Sequence, residues 1–318
     1  MTDDDNEVTA MQALKDIALL NLKEQRSARR WRIFFKLFFI GFFLMGFLLL
    51  LAANQESSDK DTLEAYTAVV EINGPIMIGT TADADSVISS LRAAFEDEKT
   101  KGVVVRINSP GGSPVQAGYI NDEIYRLREE YPDTPLYVVV ADICASGGYY
   151  IAAAADKIYA DKASLIGSIG VRVDGFGLVN ALEQLGVERR LLTAGEHKGM
   201  LDPFLPEDSV EVGHMKRMLA NIHQQFIQVV KKGRGDRLQD NPDIFSGLIW
   251  TGEQAQKLGL IDALGSTAWV AREVIGVEDT VNFTPEKSLF DRLSSSVSAS
   301  LEHLFFKVSQ NQQAVLLY

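Results

Sequence analysis

At 318 residues, with 46% hydrophobic and 23% charged side chains, the chain has a globular composition and enough length for one large domain or two ordinary ones. A net charge of −12 argues against nucleic acid as a partner. The single cysteine, Cys144, excludes an intrachain disulfide and a cysteine-built zinc site, and the four histidines, His197, His214, His223 and His303, show no metal-ligand spacing.

Residues 1–36 include an amphipathic stretch, "VTAMQALKDIALLNLKEQ", which predicts a helix. From Leu37 to Ala53, "LFFIGFFLMGFLLLLAA" carries no charge. With Ile33, Phe34 and Phe35 added and Lys36 reaching back to the interface, the span suffices to cross a bilayer core of about 30 Å. It is apolar all round with no polar face, which favours a membrane span over the alternative of a buried core helix. The long segment before it and the lack of an A-x-A site in "LLAANQES" predict an uncleaved signal anchor. Lys23, Arg26, Arg29, Arg30, Arg32 and Lys36 precede the span, and Asp59, Asp61 and Glu64 follow it. The N-terminus is therefore expected in the cytoplasm and the bulk of the chain outside, which in a bacterium means the periplasm or outer face of the cytoplasmic membrane. The expected division is a cytoplasmic segment (1–36), an anchor (37–53), a polar linker (54–66), a globular domain (67–275) and a tail (276–318).

In the globular part, strands and helices alternate. Strands are expected at 68–74, 102–108, 135–140 and 189–194, with a further apolar segment at 164–171. Helices are expected at 85–99, 113–131, from 147, at 177–186 and from about Glu207 to Lys232. Ser113 reads as an N-cap with Pro114 in the first turn. Thr251 and Gln254 read as a capping box on a short helix ended by Gly259. The tail holds the amphipathic "LFDRLSSSVSASLEHLFFKV" and the apolar end "AVLLY". This rhythm predicts an α/β fold with a parallel sheet covered by helices, and ligand sites at the carboxyl ends of its strands.

Three turns rich in glycine and serine fall at such ends: "NSPGGSP" (108–114), "ASGGYY" (145–150) and "IGSIGV" (166–171). Ser146 sits in the second. A serine hydroxyl needs a base, and N–H donors for the oxyanion, before it acts as a nucleophile. Gly147 opens a helix, where N–H groups lack partners, and the glycines at 111–112 can supply a second donor. Taken alone, A-S-G-G is more often a structural turn, and G-x-S-x-G is absent because position 144 is cysteine. For the base, His197 and Lys198 stand side by side in "TAGEHKGMLDPF" (193–204). In an extended segment only one of the two faces the site. Lysine serves if burial lowers its pKa from about 10.4 towards neutrality, and the apolar flanks offer that burial. A solvated loop lysine is the commoner reading of the residues alone. Asp202 is placed to order the loop after Lys198.

Taken together, "NSPGGSP", "ASGGYYIAAAADKIYA", "LIGSIGV", "TAGEHKGMLDPF" and "WTGEQAQKLGLID" resemble the signal peptide peptidase A family in its short, single-repeat bacterial form, over roughly Tyr66 to Val274. The resemblance implies a Clp protease/crotonase-like fold of repeated ββα units with a parallel sheet, here preceded by one transmembrane helix. It implies Ser146 as nucleophile, Lys198 as general base and Ser168 as the residue that orients the lysine. Gly147 and Gly112, with Gly111 beside them, would supply the oxyanion donors. It implies no metal or cofactor, and as substrates extended apolar peptides such as cleaved signal peptides. It also implies a ring-like homo-oligomer at the lipid surface, in which the serine and lysine of one site can come from neighbouring protomers. The alternatives are an envelope quality-control protease of the same superfamily and a non-catalytic oligomeric membrane scaffold. An acyl-CoA enzyme of crotonase type is disfavoured, because the anchor places the domain away from cytoplasmic CoA.

Overall fold

The computed structural model describes residues 25–26, 29–48 and 63–285. The amphipathic stretch up to residue 24, the linker up to residue 62 and the tail from residue 286 lie outside the described residues. The chain divides into two compact units, residues 1–64 and 65–318.

In the first unit, helix α1 (Arg29–Leu48) is long and apolar enough to cross a membrane. It reaches into the basic flank ahead of the uncharged run, where Trp31 meets Phe34 and Phe35, Phe34 meets Phe35 edge-on, and Phe34 stacks on Phe38.

The second unit is built on one eight-stranded sheet. Its elements in chain order are β1 (Tyr66–Asn73), α2 (Ala84–Glu96), β2 (Thr100–Ser109), α3 (Pro114–Glu130), β3 (Leu136–Ala145), α4 (Gly147–Ala152), β4 (Lys157–Ala160), β5 (Leu165–Gly167), α5 (Val179–Gln184), α6 (Ser209–Arg234), β6 (Ile249–Thr251), α7 (Gly252–Lys257), β7 (Ala263–Leu264), α8 (Thr267–Trp269, continued by a wider π turn, Val270–Ile275) and β8 (Thr280–Asn282). The order across the sheet is β6-β5-β3-β2-β1-β8, with β4 and β7 branching from β3. Every pairing is parallel except that of β5 with β6.

The apolar runs of β1, β2 and β3 suit strands covered on both faces. Val70, Ile72, Val105, Ile107, Val138 and Val140 point into the main core, while Val104 and Val139 pack with Tyr159 and Val270 on the other face. The expected caps are present. The Ser113 side chain accepts from Gln116 N with Pro114 at the first position of α3, and Thr251 and Gln254 form the full capping box on α7.

One feature of β3 places the site. Along one edge β3 pairs with β2. Along the other it pairs first with β4 and then, from Ile143 on, with β5. Between these stretches Ala141, Asp142 and Ile143 oppose Asn108 alone, which makes a bulge. The Asn108 side chain accepts from Ile143 N at 3.3 Å and donates to Asp142 Oδ2 at 3.2 Å, and Ser164 Oγ donates to the Ala141 carbonyl. The bulge bends the end of β3 and carries Ser146 up against β5.

The structure departs from expectation at 189–194, which forms no strand. Leu192 there is 97% exposed, and the segment joins no strand pairing of the sheet. In the segment 171–208, α5 is the one helix, and it is shorter than the apolar spacing suggests.

Candidate active site

A cleft of about 810 Å³ opens at the carboxyl ends of β2, β3 and β5 and is closed on one side by α6. Gly111, Gly112, Ser146, Gly147 and Ser168 all line it.

Ser146 joins β3 to α4 with φ 52 and ψ −121. A side chain in that region costs about 1–3 kcal/mol and persists only where its surroundings hold it. Here Ser146 N donates to the Gly167 carbonyl at 2.9 Å, and the Ser146 carbonyl accepts from Tyr150 N at 3.0 Å. Serine at a helix start usually caps it. The Ser146 hydroxyl makes no capping bond, so it is free for chemistry.

The "PGG" turn packs directly on this corner. A Cβ on Gly111, at φ 99, would stand 2.7 Å from Gly147 N and 2.8 Å from the Ala145 carbonyl. Only glycine fits. Ile76 N donates to the Gly111 carbonyl and Ser113 N to the Ile76 carbonyl, at 3.0 and 2.8 Å. These two bonds flank Gly112, so its own N–H turns away from Ile76, towards the Ser146 corner. Gly147 is the first residue of α4 and has no intrahelical acceptor. Among the described residues neither N–H donates to another backbone group. Two free donors beside one unbonded hydroxyl can bind the oxyanion of a tetrahedral intermediate.

Ser168 also has positive φ, at 51, directly after Gly167 at 111. Ala145 pairs with Gly167 across the β3–β5 ladder, so Ser146 and Ser168 follow side by side. Ser168 N donates to the Leu248 carbonyl at 2.8 Å.

Lys198 is elsewhere. It is exposed, and no residue of 193–204 lines the cleft. The segment around it is not extended, as its sequence suggested. It coils through successive turns, from Lys198 N to the Gly195 carbonyl and from Met200 N to the His197 carbonyl. Asp202 orders the loop as read from the sequence. It accepts from Phe204 N at 2.9 Å and from Arg189 at 2.8 Å, and the Arg189 guanidinium, more than any other group, holds its carboxyl below the usual carboxylate range. His197, the rival base, is held by Glu211 at the start of α6, 3.1 Å away. Cys144 is fully buried, and burial pushes its thiol far up. It is a packing residue.

Several cleft residues escaped the sequence reading. Tyr150 lies one helical turn beyond Ser146, which its i+4 spacing could have shown. Phe226 meets it with ring centroids 5.1 Å apart, and Ile222 and Ile249 complete the apolar wall. The latter three depend on where α6 and β6 pack, which no local pattern reveals.

Residues 129–275 match the profile of Peptidase family S49. Over 236 residues the chain is 42% identical to a protein of Brucella melitensis named Na(+)/H(+) antiporter NhaA, covering 72% of this chain and 32% of that one. It is 33% identical over 210 residues to a Synechocystis sp. protein named as a putative protease, covering 65% of this chain and 72% of that one. It is 34% identical over 210 residues to Protease 4 of Salmonella typhi, covering 62% and 32%. The chain thus spans about a third of the length of the Brucella relative. With the sheet, the Ser146 corner and these likenesses in hand, the chain belongs to Peptidase family S49.

Proposed function

We propose that the chain is a membrane-anchored serine endopeptidase in which Ser146 is the nucleophile and Lys198 of a neighbouring copy is the general base. The observation that carries this is the Ser146 corner. A non-glycine residue is held at positive φ, its hydroxyl makes no capping bond, and two unpaired N–H groups stand beside it. A turn with a purely structural role is served better by glycine.

The reaction then runs as follows. Neutral Lys198 takes the Ser146 proton as Oγ attacks a peptide carbonyl. The oxyanion accepts from Gly147 N–H and Gly112 N–H. Lys198 returns the proton to the leaving amine as the C–N bond breaks. Water then cleaves the ester, releasing the acid and restoring Ser146. Ser168, beside Ser146 in register, orients the lysine amine.

A second copy is invoked because the chain's own Lys198 lies outside its own cleft. It sits on a segment whose Phe176 and Leu192 are 84% and 97% exposed. Packing that segment on a neighbour would bury these side chains and desolvate the amine, as a lysine base requires. The cleft walls of Ile143, Tyr150, Ile222, Phe226 and Ile249 suit extended apolar peptides, cleaved signal peptides among them. Helix α1, with its basic N-terminal flank, would hold the domain at the outer face of the membrane where such peptides remain. The antiporter name belongs to a Brucella protein of which this chain spans 32%, and nothing in the cleft draws on it.

The test is a fluorophosphonate probe on the full-length chain in detergent, with the label located by peptide mapping. The proposal expects label on Ser146 in the wild type and none in Lys198→Ala. Equal labelling of Lys198→Ala would remove the lysine from the mechanism, and no labelling of folded, assembled wild type would remove the serine.

A further inference from the structure

We propose that His223 is a positioning residue for this reaction: its imidazole holds the Ile169 carbonyl and so fixes the direction of the segment 167–170, which presents Ser168 beside Ser146. The inference rests on the peptidase reading of the cleft.

Gly167 and Ser168 are consecutive positive-φ residues, at 111 and 51. Such a segment keeps its course only if the bonds around it fix each peptide plane. Two of these bonds lie at its start, from Ser146 N to the Gly167 carbonyl and from Ser168 N to the Leu248 carbonyl. The third comes from outside the sheet. His223 Nε2 lies 3.1 Å from the Ile169 carbonyl. A carbonyl only accepts, so Nε2 carries the hydrogen and donates. Ile169 is fully buried, and among the described residues no backbone N–H donates to its carbonyl. Without His223 that acceptor is buried and unpaired, which the backbone relieves by turning. The peptide plane that would turn joins Ile169 to Gly170. Ser168 and Gly170, on either side of Ile169, both line the cleft.

His223 lies on α6 between residues that already face the site: Ile222 and Phe226 line the cleft, and the Phe226 ring packs at a tilt against Tyr150. The helix that walls the cleft therefore also ties down the strand end that aims Ser168. His223 acts through Ile169 and touches neither Ser146 nor the substrate. A group with only a packing role would affect stability, whereas this one should affect the rate at Ser146.

The experiment compares His223→Leu, which cannot donate, with His223→Gln, whose amide can, in the full-length chain in detergent. It reads the rate of fluorophosphonate labelling at Ser146, kcat and KM on an apolar peptide, and amide exchange over 167–171. The small probe does not need the extended peptide groove, so it reports on Ser146 and Ser168. His223→Leu is expected to slow labelling and lower kcat about ten- to a hundredfold, the scale of a small misplacement at a reacting centre, while KM barely moves. Exchange over 167–171 should rise in the same variant. His223→Gln should recover most of the rate and the protection. Wild-type labelling in His223→Leu overturns the proposal, and so does a His223→Gln rate as slow as that of His223→Leu. If His223→Leu does not fold, His223→Met takes its place against His223→Gln. A wild type that is not labelled at Ser146 overturns the peptidase reading and this role with it, while the exchange data still report whether His223 holds the segment.

Discussion

The two halves of the proposed dyad sit in opposite surroundings. Ser146 is held by the chain itself: a bulge bends β3, Gly111 packs on the corner, and the Gly167 carbonyl fixes its backbone. Lys198 rides on an exposed segment with apolar side chains in solvent and is kept in shape by local turns, the Arg189–Asp202 pair and the His197–Glu211 contact. On the proposed reading, one half is finished by folding and the other is left for assembly. On that reading such a division would tie activity to the assembled state, because the Lys198 of a lone protomer lies outside its own cleft.

The comparison can be broken at either end. The largest effect is expected for Ser146→Ala, which should lower peptide turnover about 10⁴-fold or more, with melting temperature and assembly unchanged. Retained turnover in this variant would end the account of the corner. Next is Gly111→Ala. Its new Cβ must fit where 2.7 Å separates it from Gly147 N, so the donors shift and kcat should fall about 10²- to 10³-fold, with a lowered melting temperature. On the exposed side, Leu192→Asp should weaken assembly and lower activity about tenfold at low protein concentration, with recovery as concentration rises, as light scattering and steady-state rates would show.

The smallest effect on activity is expected at Glu123, on α3 and away from the cleft. The Arg126 and Arg92 guanidiniums hold its carboxyl down at about 2, from 4.5. A depressed carboxylate stabilises the fold above its unfolded value, and that stability is lost as pH falls from about 4.5 towards 2. Glu123→Gln should therefore flatten the acid limb of the stability profile in this window and leave peptide turnover unchanged. An acid limb identical to wild type would show that this ion-pair cluster is already too screened by solvent to matter.

Features carried by local chemistry were legible in the sequence. Ser113 with Pro114, the Thr251–Gln254 box and the turn at Ser146 each have a short-range signature, and the structure shows all three. The β-branched runs of β1 to β3 announced a sheet covered on both faces. Features that depend on distant partners were not legible. The bulge at 141–143 needs Asn108, and the role given to His223 needs Ile169 to lie beside it. The "RRLLTA" stretch reads as a strand because its leucines are apolar. In the folded chain Leu191 is half-buried beside Gly199, and Leu192 stays in solvent. Apolar residues left in solvent look, in sequence, the same as residues kept for the core.

The most direct test of the divided site is to mix two inactive proteins. Ser146→Ala and Lys198→Ala full-length chains would be purified separately, dissociated, combined in equal amounts, reassembled in detergent and assayed on an apolar peptide. If one copy supplies the serine and its neighbour the lysine, random assembly restores both groups at about one quarter of the sites, and activity returns to about that fraction of wild type. If both groups come from the same chain, every site lacks one of them. A mixture that assembles and remains inactive would contradict the account.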